Sequence, residues 1–209
     1  MRPVRCALLV AAVGGLAAPA HAVDLGIEAR AGYFDLSNAH QSAKAVFDGS
    51  SGGPTFGGAL RLGLGERYFV RGGASYFKRT GERVFIADAT SDVFPLGHPL
   101  EVSLVPIYLD LGRTFRPDGT LRPYVGIGAG ISMYKEESTV AEETTSVERS
   151  RASGRLLVGT TYGRGSLQLG LEAAYSIAPD TIGLGGVSKI YEETDAGGFQ
   201  LVVLLRWQP

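Results

Sequence analysis

The feature that most constrains this chain is an alternation of apolar with small or polar residues, which recurs in eight segments. In the first segment Leu25, Ile27 and Ala29 alternate with Glu28 and Arg30. A period of two residues places successive side chains on opposite faces of a β-strand, so each segment predicts a strand with one apolar face. The predicted strands are 24–36, 55–64, 68–78, 101–115, 121–135, 154–162, 166–177 and 199–207.

The connections between these segments alternate between short and long. Turns at 65–67, 116–120 and 163–165 carry the Gly, Pro and Asp residues that tight turns favour. Longer polar stretches lie between them, at 37–53, 79–100, 136–153 and 178–198. Outer membrane barrels have short periplasmic turns and longer extracellular loops. We therefore predict an all-β fold: an eight-stranded antiparallel up-and-down transmembrane β-barrel with short periplasmic turns and four long extracellular loops.

A soluble β-sandwich is the alternative that the alternation leaves open. Its apolar face would line a core, and its other face would be solvated. Here the polar face interleaves charged residues with many of the 30 glycines of the chain. Small residues suit the interior of a narrow barrel better than a solvated sheet surface, so we favour the barrel.

The N-terminus predicts export. Arg2 and Arg5 precede an apolar run that ends near Ala18, and a small-x-small triplet closes at Ala22. The run is too short to cross a membrane as a helix, so residues 1–22 are interpreted as a signal peptide and 23–209 as the barrel domain. We expect this domain to lie in the outer membrane of a Gram-negative cell.

Composition excludes several classes of function. Removal of Arg2 and Arg5 leaves 18 basic against 21 acidic residues, a formal charge of −3, which argues against a nucleic-acid partner. The single cysteine, Cys6, lies in the signal peptide, so the exported chain has no thiol for a disulfide or metal site. We expect no cofactor and no metal.

Charged residues on the polar faces of the strands are expected to meet inside the barrel. An eight-stranded barrel is just wide enough to be filled by side chains, and an unpaired buried charge is very costly. We therefore predict a structural network of Arg–carboxylate pairs at mid-height in the lumen. Its expected members are Glu28, Arg30, Arg61, Arg71, Asp110, Arg155 and Glu172. Lining a conducting pathway is the alternative role for the same residues.

Two neighbouring strands carry a family resemblance. The sequences VPIYLDL at 105–111 and LRPYVGIGAG at 121–130 are similar to paired strands of the OmpA-like and opacity-protein-like outer membrane β-barrel superfamily. The resemblance is strongest over 102–134. It implies a barrel inserted by the barrel-assembly machinery, with roles in envelope integrity, adhesion or host contact. Trp207 is followed by Gln208 and Pro209, whereas the terminal residue in that superfamily is usually aromatic.

Our leading hypothesis for function is a non-enzymatic barrel with a plugged polar lumen and surface loops that interact with lipopolysaccharide, host surfaces or envelope proteins. A porin-like narrow channel for small solutes is the first alternative. A lipid A-modifying enzyme is the second, because His40 and Ser42 match a His-x-Ser spacing in similar barrels. His40 and His98 are both expected in solvated loops. A closed barrel has no free edge, so we expect a monomer.

Overall fold

The computed structural model describes residues 24–140 and 143–209 and shows a closed ring of antiparallel strands. Each strand pairs with its neighbours in sequence, and the last strand pairs back onto the first, with Trp207 opposite Ile27. This confirms the predicted all-β fold with eight antiparallel up-and-down strands. The strands are β1 (Asp24–Asp35), β2 (Gly52–Leu64), β3 (Tyr68–Phe85), β4 (Phe94–Thr114), β5 (Leu121–Val140), β6 (Glu143–Tyr162), β7 (Leu167–Ile177) and β8 (Gly198–Trp207). The predicted signal peptide, 1–22, lies outside the described residues.

Two helices occupy long connections on the same side of the ring. A 3₁₀ turn at Ser37–Ala39 and helix α1 (His40–Val46) join β1 to β2, and α2 (Gly186–Ile190) joins β7 to β8. We call the end of the barrel with these connections the cap end and the opposite end, with the short connections, the turn end. No helix among the described residues is long and apolar enough to span a bilayer.

Half of the barrel wall is taller than the other half. Strands β3 to β6 have 18 to 21 residues, whereas β1, β2, β7 and β8 have 10 to 13. The expectation of long loops at 79–100 and 136–153 is therefore wrong for most of both stretches, which form hairpins that extend β3–β4 and β5–β6. His98, expected in a loop, lies within β4.

The physical reason is that a strand beyond the membrane needs no apolar face. The β5–β6 extension keeps its pairing as far as Val140 opposite Glu143. Across this pair of strands, Lys135 lies 3.4 Å from Glu148, and the hydroxyls of Thr139 and Thr144 are 3.1 Å apart. Polar composition suggested a loop, but cross-strand pairs of this kind stabilise a solvated hairpin.

The outer face of the ring is an apolar belt bounded by aromatic side chains. Leu60, Leu109, Ile127 and Leu156 are all exposed on the outside of the barrel. Such a belt between aromatic girdles is typical of barrels that span a membrane. Exposed aromatic residues near the cap end are Tyr33, Phe56, Tyr76, Tyr175 and Phe199, and those near the turn end are Tyr68, Phe115, Tyr162 and Trp207. The outward-facing ion pair of Lys78 and Glu101, 2.7 Å apart, lies just beyond the first set.

Proline removes a ladder hydrogen bond and is usually confined to edges or bulges, yet Pro106 lies within β4. No bulge occurs there. Pro106 stays in register with Ser132 on β5, while the pairing with β3 is interrupted between Ala74 and Phe77 and resumes in the same register. The irregularity between β3 and β4 lies instead between Glu82 and Val84. The barrel accommodates the missing N–H by a local gap in one ladder.

Candidate functional site

A network of buried ion pairs fills the middle of the lumen, and Arg71 is at its centre. The Arg71 Nε and Nη2 atoms donate to Asp110 Oδ2 at 2.9 and 2.7 Å. Its Nη1 atom donates to Glu172 Oε2 at 2.6 Å and to Glu28 Oε2 at 3.4 Å. The side chain is fully buried, so one guanidinium joins all three carboxylates away from solvent.

Two further arginines complete the contacts around these carboxylates. Arg30 donates to Glu28 Oε2 at 3.1 Å and also to Glu172. Arg155 donates from Nη2 to Glu172 Oε1 at 3.1 Å, and its guanidinium lies 4.1 Å from the centre of the Tyr108 ring. The structure therefore brings together six of the seven residues expected in the network.

Arg206 also belongs to this network, although we did not place it at mid-height from the sequence. It donates to Glu28 Oε1 from Nε at 2.9 Å and from Nη2 at 2.7 Å. Glu28 and Arg206 are directly opposite in the β1–β8 pairing. No turn connects those two strands, so the spacing of residues along the chain gives no register across this seam. The position of Arg206 on the polar face of its strand was the only available signal.

Arg61, by contrast, makes no ion pair among the described residues, so its expected place in the network is corrected. Its guanidinium carbon lies 3.6 Å from the centre of the Phe69 ring, and Nη2 donates to Thr114 Oγ1 at 2.7 Å. Arg61 is directly opposite Arg71 in the β2–β3 pairing. Like charges at such positions repel, and stacking on an aromatic ring gives Arg61 a separate environment.

Glycine makes room for this second environment. A Cβ atom on Gly112 would lie 2.1 Å from Cζ of Phe69, so the ring occupies the volume of the missing side chain. Phe69 meets Tyr124 edge to face at 5.8 Å, and the Tyr124 hydroxyl donates to Glu172 Oε2 at 2.8 Å. The aromatic layer near the turn end is thus joined to the ion pairs above it.

The lumen is closed above the network as well. A gap of about 30 Å³ beside Tyr108 and Arg155 has room for roughly one or two waters. Above it, buried apolar side chains from the barrel and from α1 pack in one cluster, which we call the lid cluster. The lid cluster consists of Phe34, Leu36, Ala39, Ala43, Phe47, Phe77, Val102, Leu104, Tyr134 and Ala196.

Hydrogen bonds hold the connections of the cap end in place. The Glu193 carboxylate accepts from the backbone N–H groups of Gln41 and Ser42 at 2.9 Å each, and from the Ser42 hydroxyl. Asp195 accepts from the backbone of Ala178 at 2.7 Å and of Gly197 at 2.6 Å. The β7–β8 connection is therefore fixed to the start of α1 across the barrel mouth.

A cavity of about 140 Å³ lies within this cap, between α1, α2 and the extended strands. Its walls include the lid-cluster residues Leu36, Ala43 and Phe47. Ser42 and Arg83 are among its polar lining residues. Its lining is more apolar than that of a wider cleft of about 760 Å³ at the same end, which Lys44, Asp48 and Arg79 help to line.

The residues considered for catalysis do not form a hydrolytic arrangement. His40 is exposed at the start of α1, and no hydrogen bond of its side chain is found among the described residues. The Ser42 hydroxyl donates to Glu193 in the cap, beyond the level of the aromatic girdle, and does not face lipid. Within residues 24–140 and 143–209, no group of three His, Cys, Asp or Glu side chains is placed to hold a metal ion.

Comparisons with known proteins agree with this architecture. A family model described as "Outer membrane protein beta-barrel domain" matches residues 8–205. Comparison with curated proteins found no match. A major outer membrane protein from Thermus thermophilus is 14% identical, with a TM-score of 0.56, over 90% of this chain and 100% of that one. Neisserial surface protein A is 13% identical, with a TM-score of 0.51, over 88% of this chain and 95% of that one.

At such identities the two solved structures support the fold alone, whereas the family model covers most of the sequence. The closed ring, the apolar belt and the two aromatic girdles are the features that a membrane-spanning barrel requires. The chain therefore belongs to the outer membrane protein β-barrel family and is an integral protein of the outer membrane.

Proposed function

We propose that this chain is a non-enzymatic barrel whose lumen is a structural plug and whose cap end carries its interactions outside the cell. The observation that supports this proposal is the lid cluster. It closes the lumen above the ion pairs, and the aromatic layer closes it below. A lumen sealed by packed side chains at two levels has no continuous water path. Function then depends on the outer surfaces of the barrel. In this proposal the barrel-assembly machinery inserts the protein, and lipopolysaccharide surrounds it in the membrane.

Adhesion or host contact is the role that the cap end favours over envelope integrity. Phe85 and Phe94 are paired across the β3–β4 extension, and they are 57% and 55% exposed. Both lie beyond the Lys78–Glu101 ion pair, on the side away from the apolar belt. Aromatic side chains exposed outside a membrane belt mark interaction sites, and aromatic residues are enriched at the energetic centres of interfaces.

The tip between these two residues is also held in a defined shape. Asp88 accepts hydrogen bonds from the backbone N–H of Thr90 at 2.9 Å and from its hydroxyl at 2.7 Å. These bonds lower the pKa of the Asp88 carboxyl. A preorganised tip loses less conformational freedom on binding than a disordered loop.

The plug is tested by the conductance of the refolded protein in planar bilayers. We expect no discrete openings from protein that shows heat-modifiable gel migration. Openings whose amplitude changes in Arg71→Ala or Glu172→Ala would make the lumen the functional site and would favour the channel alternative.

The adhesive surface is tested on non-adherent Gram-negative cells that display the protein. We expect these cells to be retained on epithelial cell layers, and the double variant Phe85→Ser/Phe94→Ser to lose most of this retention at equal surface level. Val147→Ser is the matched control, because it changes an exposed apolar residue on the neighbouring hairpin. Equal loss in the control, or no retention by the wild type, would count against adhesion by this hairpin.

Lipid A analysis by mass spectrometry tests the enzymatic alternative. We expect the lipid A profile of expressing cells to match that of cells with an empty vector. A profile altered by the wild type and restored by Ser42→Ala would contradict a non-enzymatic role.

A further inference from the structure

The cavity in the cap has the size and walls of a ligand site. Protein interiors are close-packed, and voids much larger than a water molecule are few. This cavity, at about 140 Å³, is far larger than the 30 Å³ gap within the lumen of the same barrel. For comparison, an engineered apolar cavity of roughly 150 Å³ binds benzene.

Its walls come from separate elements that the fold holds in fixed positions. Apolar lining residues include Leu36 before α1, Phe47 after it, Val84 on β3, Val102 on β4 and Ile182 before α2. The Glu193 contact with the start of α1 and the lid cluster beneath hold this arrangement together. The cavity is partly open to solvent, and its walls come from several elements and not from one loop.

Polar groups are present in the lining as well. Ser42, Arg83, Glu136 and Ser188 line the cavity together with the apolar residues. Arg83 is exposed, and no ion pair of its side chain is found among the described residues. Ligand sites commonly combine an apolar body with a few polar groups that orient the molecule.

The position of the cavity indicates where the ligand comes from. Arg83 and Val84 lie five and six residues beyond Lys78 along β3, on the side away from the apolar belt. Acyl chains of the membrane end at the level of the aromatic girdle, so they do not reach this height. The occupant is therefore a solute that enters from outside the cell.

We propose that this cavity binds a small amphipathic solute, with one aromatic ring or a short alkyl chain among the apolar walls and a polar group near Arg83. The proposal does not depend on adhesion by the β3–β4 hairpin. Leu184, which is 73% exposed, directly precedes the lining residue Gly185 and is the apolar side chain of this chain that we test as a competing occupant.

The test is a titration of 4-fluorophenol into the full exported chain in lipid nanodiscs, followed by ¹⁹F NMR and by methyl NMR of the protein. We expect saturable binding, with a dissociation constant on the order of 1 mM or below for a probe of eight heavy atoms. Methyl shifts should occur at Ala43, Val46 and Ile182. Empty nanodiscs and the lipid-facing Leu156 report partition of the probe into the membrane.

A filling variant supplies the decisive comparison. Val187→Phe adds bulk to a lining residue of α2 and should weaken binding about tenfold or more, because the added ring occupies the volume that the probe needs. Ile190→Phe adds bulk on the same helix at a residue outside the cavity lining, and binding should be retained.

Three results would overturn the proposal. The first is a shift pattern confined to lipid-facing methyls. The second is equal binding by Val187→Phe and wild type when both show heat-modifiable migration. The third is binding by Leu184→Ser but not by the wild type, which would show that Leu184 fills the cavity itself.

Discussion

At the scale of single residues, the lumen separates five arginines into two kinds of environment. Arg71 is surrounded by the three carboxylates, whereas Arg61 stacks on Phe69 and bonds to the Thr114 hydroxyl. Their strand positions are directly opposite, so the sequence pattern could place both on the inner face but could not distinguish their partners. The difference depends on the ring of Phe69, which the alternation pattern does not position.

This difference predicts unequal effects of the same substitution. Arg71→Met leaves three buried carboxylates without their central partner and should lower the free energy of unfolding by about 3–5 kcal/mol. Arg61→Met removes a cation–π contact and one hydrogen bond and should cost about 1–2 kcal/mol. Urea unfolding in lipid vesicles, followed by gel migration, measures both. Equal losses would contradict the assignment of Arg61 to a separate environment.

Glycine substitutions give a second prediction at this scale. Gly112→Ala places a methyl group on the Phe69 ring and should destabilise the barrel by about 1–3 kcal/mol. Gly72→Ala is the control, since its Cβ would meet only Leu109 Cδ1, at the ordinary distance of 3.8 Å. The same unfolding measurement applies. A neutral Gly112→Ala would show that the ring is free to move away.

At the scale of elements, the strands were predictable where they cross the membrane and less so beyond it. Within the belt, one face must be apolar and the other small or polar, so the alternation marks each strand. Beyond the belt both faces meet water, and the polar residues of 136–153 looked like a loop. Cross-strand pairs such as Lys135 with Glu148 continue the hairpin there without leaving an apolar signal.

The extended hairpin predicts a pattern of amide exchange. Backbone amides paired across β5 and β6 at 136–139 should exchange with deuterium at least about tenfold more slowly than those in the connection at 86–93, because they form ladder hydrogen bonds. Hydrogen–deuterium exchange with mass spectrometry on the protein in nanodiscs provides the measurement. Equally fast exchange in both segments would contradict the extended hairpin and would show that 136–153 is a loop, as its polarity suggested.

At the scale of the whole molecule, the sequence predicts a closed ring but does not give the register across the β1–β8 seam that closes it. Counting residues from the turn end of each strand is what placed six of the network residues at one height. The β1–β8 seam has no turn, and Arg206 could not be placed for that reason. The cap depends on packing between connections that are far apart in sequence, and no local pattern predicted it.

The two residues that follow β8, Gln208 and Pro209, give a prediction about assembly near this seam. The ladder ends at Trp207, while Gln208 adds a backbone bond to Ser166 at 2.7 Å and side-chain contacts to Gln168 and Asp24. Deletion of 208–209 should leave assembly intact and cost about 1 kcal/mol of stability, since one backbone bond and two side-chain contacts at the end of the ladder are lost. Refolding yield and urea midpoint measure this, with Trp207→Ala as the disruptive control. Failure of the truncated chain to assemble would show that the last two residues are part of the assembly signal.

The unequal wall heights give the molecule a direction. Strands β3 to β6 form one contiguous half of the ring and rise above the membrane, while the two helices lie over the low half. Because these strands form a high wall on one side of the cap end, a partner molecule can approach from only about half of the directions around the barrel. Rotation of the barrel about the membrane normal then decides which neighbouring molecules face the low side of the wall. Binding at the cap end therefore depends on the orientation of the barrel as well as on its distance from the partner.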